Sequence, residues 1–190
     1  MRRIIVVGLG GMGAHWATHI AESGQWEAAA YVDVSEQCLR TQAELHGMPR
    51  ERCFTDVRAA LDAVPADAVL DATPQQARRA VCHAALERGL HVLAEKPMAD
   101  TLENARFLAD CAARRRRTLM IAQNYRYQPE AQTAREFLTA GGLGPVGYVS
   151  IQFFKGPHFG GYREEMAYPL LLDMSIHHFD LIRHILGADP

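Results

Sequence analysis

The sequence predicts a doubly wound α/β protein: a parallel sheet with helices on both faces, followed by the beginning of an α+β domain. Three observations carry this expectation. Short apolar runs alternate with longer helical patterns over the first two thirds of the chain, as successive βα units require. The runs are nearly continuous in Val, Ile, Leu and Ala rather than alternating with polar residues, which suits strands buried on both faces. A Gly-rich segment ends the first run and opens the first helix, the position of a dinucleotide-type turn.

The elements follow in order. Residues 3–7 (RIIVV) read as the first strand and 11–23 as the first helix. Residues 26–33 are a strand and 35–46 a helix. Residues 53–55 read as a short strand before a helix over 57–63, and 68–71 (AVLD) as a buried strand. The helix over 75–88 stops at Gly89, because glycine takes the left-handed conformation that ends helices. Residues 90–94 are a strand. Asp100 is placed to cap the next helix, with Glu103 three residues on, in the manner of a capping box. Residues 118–122 form another strand.

The pattern then changes. Residues 129–140 are helical and "AGGLGPVG" breaks them. Residues 148–154 have the aromatic and β-branched content of a strand, 159–165 form a Gly-rich loop, and 170–186 read as one apolar-dense helix. The expected division is a dinucleotide-binding domain over 1–123 and a partial second domain over 124–190. The second has too few elements to close a core, and its lone strand would be an exposed edge.

Composition narrows the function classes. The chain has 190 residues, 48% hydrophobic and 22% charged, with net charge −2. That is ordinary globular composition, without the basic footprint of a nucleic-acid-binding protein. The run Arg114 to Arg117 is the local exception. It closes a helical pattern, where positive charge suits the helix dipole, so a solvated helix end is favoured over a phosphate or partner site. Cys38, Cys53, Cys82 and Cys111 form no CxxC pair and no metal spacing, and read as reduced thiols of a cytosolic protein. The start, "MRRIIVVGLGGMG", imitates a secretion signal, but its apolar run reaches glycine at Gly8. No stretch approaches the ~18 apolar residues of a membrane helix. The expectation is a cytoplasmic protein without a membrane span.

Three motifs carry chemistry. Gly8-Leu9-Gly10-Gly11-Met12-Gly13 fits GxGxxG after a strand and before a helix. The first glycine allows the tight turn, the second lets backbone approach a pyrophosphate, and the third packs helix on strand. The helix N-terminus adds N–H donors and positive dipole. Asp33, twenty residues after Gly13, ends the second strand beside Val34. A carboxylate there accepts both adenine-ribose hydroxyls and repels a 2′-phosphate, so NAD is favoured over NADP; the competing reading is an exposed turn. Thr73-Pro74 follows the strand ending at Asp71 and falls at the carboxyl edge where ligands bind in such sheets, or is a simple turn with Pro74 starting a helix.

The second motif, Glu95-Lys96-Pro97, exits the next strand at that edge. Partial burial makes a lysine an acid, base or hydroxyl-orienting donor; the alternative is a charged surface turn. The third lies in "LLLDMSIHHFDLIRHILG", which places Asp173, His177, Asp180 and His184 at spacings of four, three and four, on one helical face. A carboxylate beside an imidazole sets its tautomer and raises its basicity, as a general base needs. A metal site or structural pairs are the competing readings, with His178 or His184 as packing residues.

Together these motifs resemble the glucose–fructose oxidoreductase / inositol dehydrogenase / MocA family. The resemblance runs through nearly the whole chain: GLGGMG, Thr73-Pro74, "GLHVLAEKPMA", "NYRYQP", "GGLGPVG" and the late Asp-x-x-x-His. It implies an NAD(P)-dependent dehydrogenase acting on a secondary alcohol, often a sugar or cyclitol, with no metal. Lys96 would contact substrate hydroxyl and nicotinamide ribose, Asp173 and His177 would be the acid–base pair, and Glu95 would shape the cofactor pocket. Asn124 would lie at the domain junction as a cofactor contact, with Arg126 contacting substrate or cofactor. The loop 156–165, with His158, Tyr162 and Arg163, would help choose the substrate. The chain departs from the family pattern at Arg78, where histidine is common, at Tyr168-Pro169-Leu170, and at Ser175, where glycine is common. It also stops where family members continue with an open sheet that completes the substrate domain and commonly the homo-oligomer interface, so a truncated chain is expected. Within the family, an NAD-binding sensor and an NAD-dependent glycoside hydrolase are the alternative functions; a cofactor-binding fragment is the alternative for this chain.

Overall fold

The computed structural model describes residues 1–141, 144–154, 163–164 and 166–188. It divides into two compact units, Met1–Ala122 and Gln123–Pro190.

The first unit alternates β1 (Arg2–Val7), α1 (Gly11–Glu22), β2 (Trp26–Val32), α2 (Glu36–His46), β3 (Cys53–Phe54), α3 (Val57–Ala63), β4 (Ala68–Asp71), α4 (Gln75–Glu87), β5 (His91–Ala94), α5 (Leu102–Arg115) and β6 (Leu119–Ile121). The strands form one sheet in the order β3-β2-β1-β4-β5-β6, and every pairing is parallel. This is the doubly wound order. The chain moves outward from β1 in one direction and from β4 in the other, so the carboxyl ends of β1 and β4 flank the switch point.

Period-two alternation divides the core between the two faces. Ile5, Val7, Val69 and Val92 pack on one side with Leu86 and Leu108. Ile4, Val6, Ala68 and Leu70 pack on the other with Leu9, Ile20 and Tyr31. Each large aliphatic buried this way contributes roughly 1.5–3 kcal/mol.

The start of α5 corrects one expectation. Thr101, not Asp100, is the cap: its extended backbone lets Oγ1 accept the Asn104 N–H at 3.1 Å. Asp100 instead accepts from the Asn104 side-chain amide at 2.6 Å.

The second unit holds a 3-10 turn over Asn124–Tyr127, α6 (Pro129–Thr139), a π-helical turn over Leu170–Met174 and α7 (Ser175–Leu186). Two expectations are corrected. Residues 148–154 form no strand; among the described residues no strand pairs with them, and a β-prone segment needs such a ladder to join. The helix over 170–186 is not α-helical throughout. The Leu170 carbonyl accepts the Ser175 N–H and, at 2.9 Å, the Ser175 hydroxyl, and this five-residue reach widens the first turn. Most of the Gly-rich loop, including His158 and Tyr162, lies outside the described residues. Among the described residues, no helix is long and apolar enough to cross a membrane.

Candidate active site

The turn after β1 is built by steric exclusion. Gly8 has φ +84°, and a Cβ there would meet the Ala72 carbonyl carbon at 2.8 Å. A Cβ on Gly13 would stand 1.6 Å from the Gly8 carbonyl oxygen, so α1 lies against the turn at a distance only glycine allows. Over Gly10 and Gly11 a Cβ would meet nothing within 4 Å. Gly10 caps α1 without a side-chain hydrogen bond, which leaves the first N–H groups of the helix for a ligand. Met12 is exposed.

Asp33 fastens this turn to the next. Its carboxylate accepts the Leu9 N–H at 2.6 Å and the Ser35 N–H at 2.8 Å. Each carboxylate oxygen keeps further lone-pair capacity. Val34 beside it is 91% exposed. Arg40 is engaged by Glu36 at 3.6 Å and by the Gln37 side-chain oxygen at 3.0 Å. The open backbone, the uncapped helix start and the remaining acceptor capacity of Asp33 fit a dinucleotide with a free ribose diol.

At the exit of β5, Glu95 accepts the Trp16 indole N–H at 2.7 Å and the Lys96 backbone N–H at 3.2 Å. This ties α1 to the lysine turn. Lys96 is half-buried, and the Lys96–Pro97 peptide is cis.

Beneath this edge lies a buried polar group. Asp71 Oδ1 accepts the Thr73 N–H at 2.9 Å and the Thr73 hydroxyl at 2.6 Å. Its Oδ2 accepts from the Cys82 thiol at 3.3 Å and faces Arg78 Nε at 3.7 Å. Arg78 also donates to the Thr73 carbonyl at 2.5 Å and to the Pro97 carbonyl. Burial pushes the Asp71 carboxyl above its usual range, opposed by the Thr73 hydrogen bonds and the Arg78 charge. Burial likewise pushes the Cys82 thiol up, so it stays protonated and donates.

In the second unit, Asp173 and His177 are both buried, on the π-helical turn and the first turn of α7. The Asp173 carboxylate accepts from Arg163 Nε at 2.7 Å. The His177 ring stacks on Tyr125, with centroids 4.3 Å apart and planes at 14°. His178 packs against Phe153 at 4.8 Å. Arg126 grips both oxygens of Asp180, with Nε–Oδ2 at 2.9 Å, and this pairing holds its pKa above the usual value. The His184 ring contacts Gln132 Nε2 and Arg135 Nη1, each at 3.2 Å. Asn124 opens the 3-10 turn that carries Tyr125 and Arg126. The four residues spaced along the helix thus meet four different surroundings.

Among the described residues, one three-residue group brings metal-ligating atoms within 4.8 Å: His83, Glu87 and Cys111. It does not include Asp173 or His177. Arg115 already holds Glu87 through both oxygens, so a cation there would have to displace a guanidinium.

Sequence reasoning missed Trp16, Asp71, Tyr125 and Asp180 as partners, and passed over Arg78 as a clamp. Two of these had a signal. Asp71 is a charge within an otherwise apolar buried strand, and Arg78 falls on the buried stripe of α4 with Val81, Cys82, Ala85 and Leu86. Such charges are buried only when paired.

Residues 2–123 match the model of an oxidoreductase family with an NAD-binding Rossmann fold, the Gfo/Idh/MocA family. The rhizopine catabolism protein MocA of Rhizobium meliloti is 32% identical over 189 residues, covering 99% of this chain and 58% of that protein. An inositol 2-dehydrogenase of Saccharopolyspora erythraea is 30% identical over 190 residues, covering 98% of this chain and 54% of that protein. The chain therefore spans about half the length of the curated relatives it matches. A scyllo-inositol dehydrogenase of Lactobacillus casei, crystallised with NAD(H) and scyllo-inositol, shares the fold with a TM-score of 0.81 at 23% identity, covering 98% of this chain and 56% of that one. By its Gly-rich turn, its sheet order and these likenesses, the chain belongs to the Gfo/Idh/MocA oxidoreductase family.

Proposed function

We propose that the protein is an NAD-dependent dehydrogenase that oxidises a secondary alcohol of a cyclitol or sugar, and that it works in the cytoplasm. The observation that carries this reading is the gathering, at one sheet edge, of the turn 8–13, Asp33, Thr73-Pro74 and Lys96. The relatives named for inositol oxidation support the substrate class. The four free cysteines support a reducing compartment.

Gly8 to Gly13 and the start of α1 would hold the pyrophosphate, with Asp33 and Val34 at the adenine ribose. Thr73, Pro74, Glu95, Lys96 and Asn124 would line the nicotinamide end. NAD held there would supply the hydride acceptor for the carbinol carbon. His177 removes the hydroxyl proton as the carbonyl forms. Asp173 supports the imidazolium that results. Lys96 donates a hydrogen bond to the same oxygen and orients it. Arg126 acts by keeping Asp180 and α7 in place, and Tyr162 contributes to substrate choice.

Incubating the protein with NAD and a panel of inositols and aldoses, and following NADH absorbance, tests this. Turnover is expected for at least one polyol. Lys96→Ala and His177→Ala should each lower it by about 10²–10⁴, with NADH affinity preserved in His177→Ala. Wild-type rates in both variants would sink the scheme. Cofactor binding without turnover would favour a sensor, and glycoside cleavage without net NADH a hydrolase.

A further inference from the structure

We propose that Arg78 is a positioning residue that locks the turn after β4 to the turn after β5, and so sets where Lys96 stands relative to the Gly-rich turn. This rests on the reading of Lys96 and the dinucleotide turn given above.

Arg78 is 2% exposed and Asp71 0%. Two of the guanidinium's nitrogens donate to carbonyls, and the third, buried without a hydrogen bond, faces a carboxylate. Nη2 donates to the Thr73 carbonyl at 2.5 Å, Nη1 to the Pro97 carbonyl, and Nε faces Asp71 at 3.7 Å. Asp71 in turn holds both the N–H and the hydroxyl of Thr73, and its backbone carbonyl accepts the Glu95 N–H at 2.8 Å. The Ala72–Thr73 backbone is what bars a Cβ at Gly8. One side chain therefore bears on the Gly-rich turn, the Thr73-Pro74 turn and the residue after Lys96.

Stability alone does not account for the pair. Burying an ion pair costs several kcal/mol per ion in desolvation, and a well-packed apolar pair commonly serves as well. A cation in the first turn of α4 also opposes the helix dipole. What an apolar pair cannot do is hold two carbonyls of two separate turns in one plane, which the rigid guanidinium fork does.

The test compares the wild type with Arg78→Lys and the double variant Asp71→Leu/Arg78→Met, using hydrogen exchange without ligand and NADH titration. The double variant leaves no buried charge and is expected to fold. The amides of Thr73, Lys96 and Met98 should exchange about tenfold faster, while those of β1 and β4 stay within about threefold. NADH should bind about tenfold more weakly. Arg78→Lys keeps a charge for Asp71 but cannot fork, so it should show the same local signature; it decides the matter should the double variant not fold. Unchanged exchange at Lys96 and Met98, or a rise spread evenly over all amides, would overturn the proposal. Faster local exchange with unaltered NADH affinity would overturn the positioning role. A wild type that binds no NADH would refute the cofactor reading instead, and exchange would still decide whether the lock exists.

Discussion

The first unit is held by apolar packing on two faces of a sheet; the second is held by polar clasps. In the first, Ile5, Val6, Val69, Leu86 and Leu108 are buried almost completely. In the second, the buried residues among those described are Ala131, Asp173 and His177, while Phe137, Phe179, Tyr148 and Phe154 are exposed, the last two at 85% and 88%. Its described elements are tied by Arg126 to Asp180, Arg135 to His184 and Arg163 to Asp173. The sheet supplies a rigid edge, and the residues proposed for proton transfer sit in a region whose order depends on charge and hydrogen bonding.

The sharpest test of that contrast is Gly13→Ala. The added methyl has no space against the Gly8 carbonyl, so its cost should exceed the ~3 kcal/mol of ordinary overpacking. Loss of NADH binding together with a collapsed melting temperature is expected. A folded, NADH-binding Gly13→Ala protein would break the account of the turn. Next in size is a pair of truncations read by urea denaturation. Leu86→Ala should cost about 2–5 kcal/mol, whereas Phe137→Ala in the second unit should stay within about 0.5 kcal/mol. Equal losses would erase the contrast between the units. Asp180→Ala should then loosen the second unit alone. Arg126 is partly exposed, so solvent screening limits the effect to about 1 kcal/mol, read as faster amide exchange in α6 and α7 with β1 to β6 unaffected.

The smallest effect is one of pH. Burial, then the charges of Arg135 and Arg126, hold the His184 pKa below its ordinary value, with Asp180 opposing. The folded state thus favours neutral His184. Its contribution is complete above the unfolded pKa of about 6.5 and is lost as pH falls through the lower folded value. Exchange in α7 should accelerate on acidification through that window, and His184→Gln should flatten the response. An unchanged response in that variant would assign the pH effect to another group.

Much of the fold is legible in the sequence because parallel strands buried on both faces leave unbroken apolar runs, and glycines mark the turns between them. The candidate site residues of the first unit are legible for a related reason: each lies just beyond the end of a strand. What resists reading depends on which particular groups meet. The segment 148–154 has strand composition, yet β-propensity expresses fit to a neighbouring strand, and no such ladder forms. The π-helical turn depends on Ser175 reaching back to Leu170, which no periodicity records. The stack of Tyr125 on His177 and the bond from Arg163 to Asp173 join separate segments without a spacing rule. Asp71 and Arg78 stand between these cases: each breaks an apolar pattern, and two such breaks in adjacent elements point to one another.

The proposed NAD cradle of the first unit rests on Asp33 favouring the unphosphorylated ribose. Paired fluorescence titrations with NADH and NADPH, on the wild type and Asp33→Ser, test it most directly. Saturable NADH binding to the wild type, weaker NADPH binding, and a narrowed or reversed gap in the variant are expected. NADPH bound as tightly as NADH by the wild type, or neither bound by a chain with a folded circular dichroism spectrum, would contradict it.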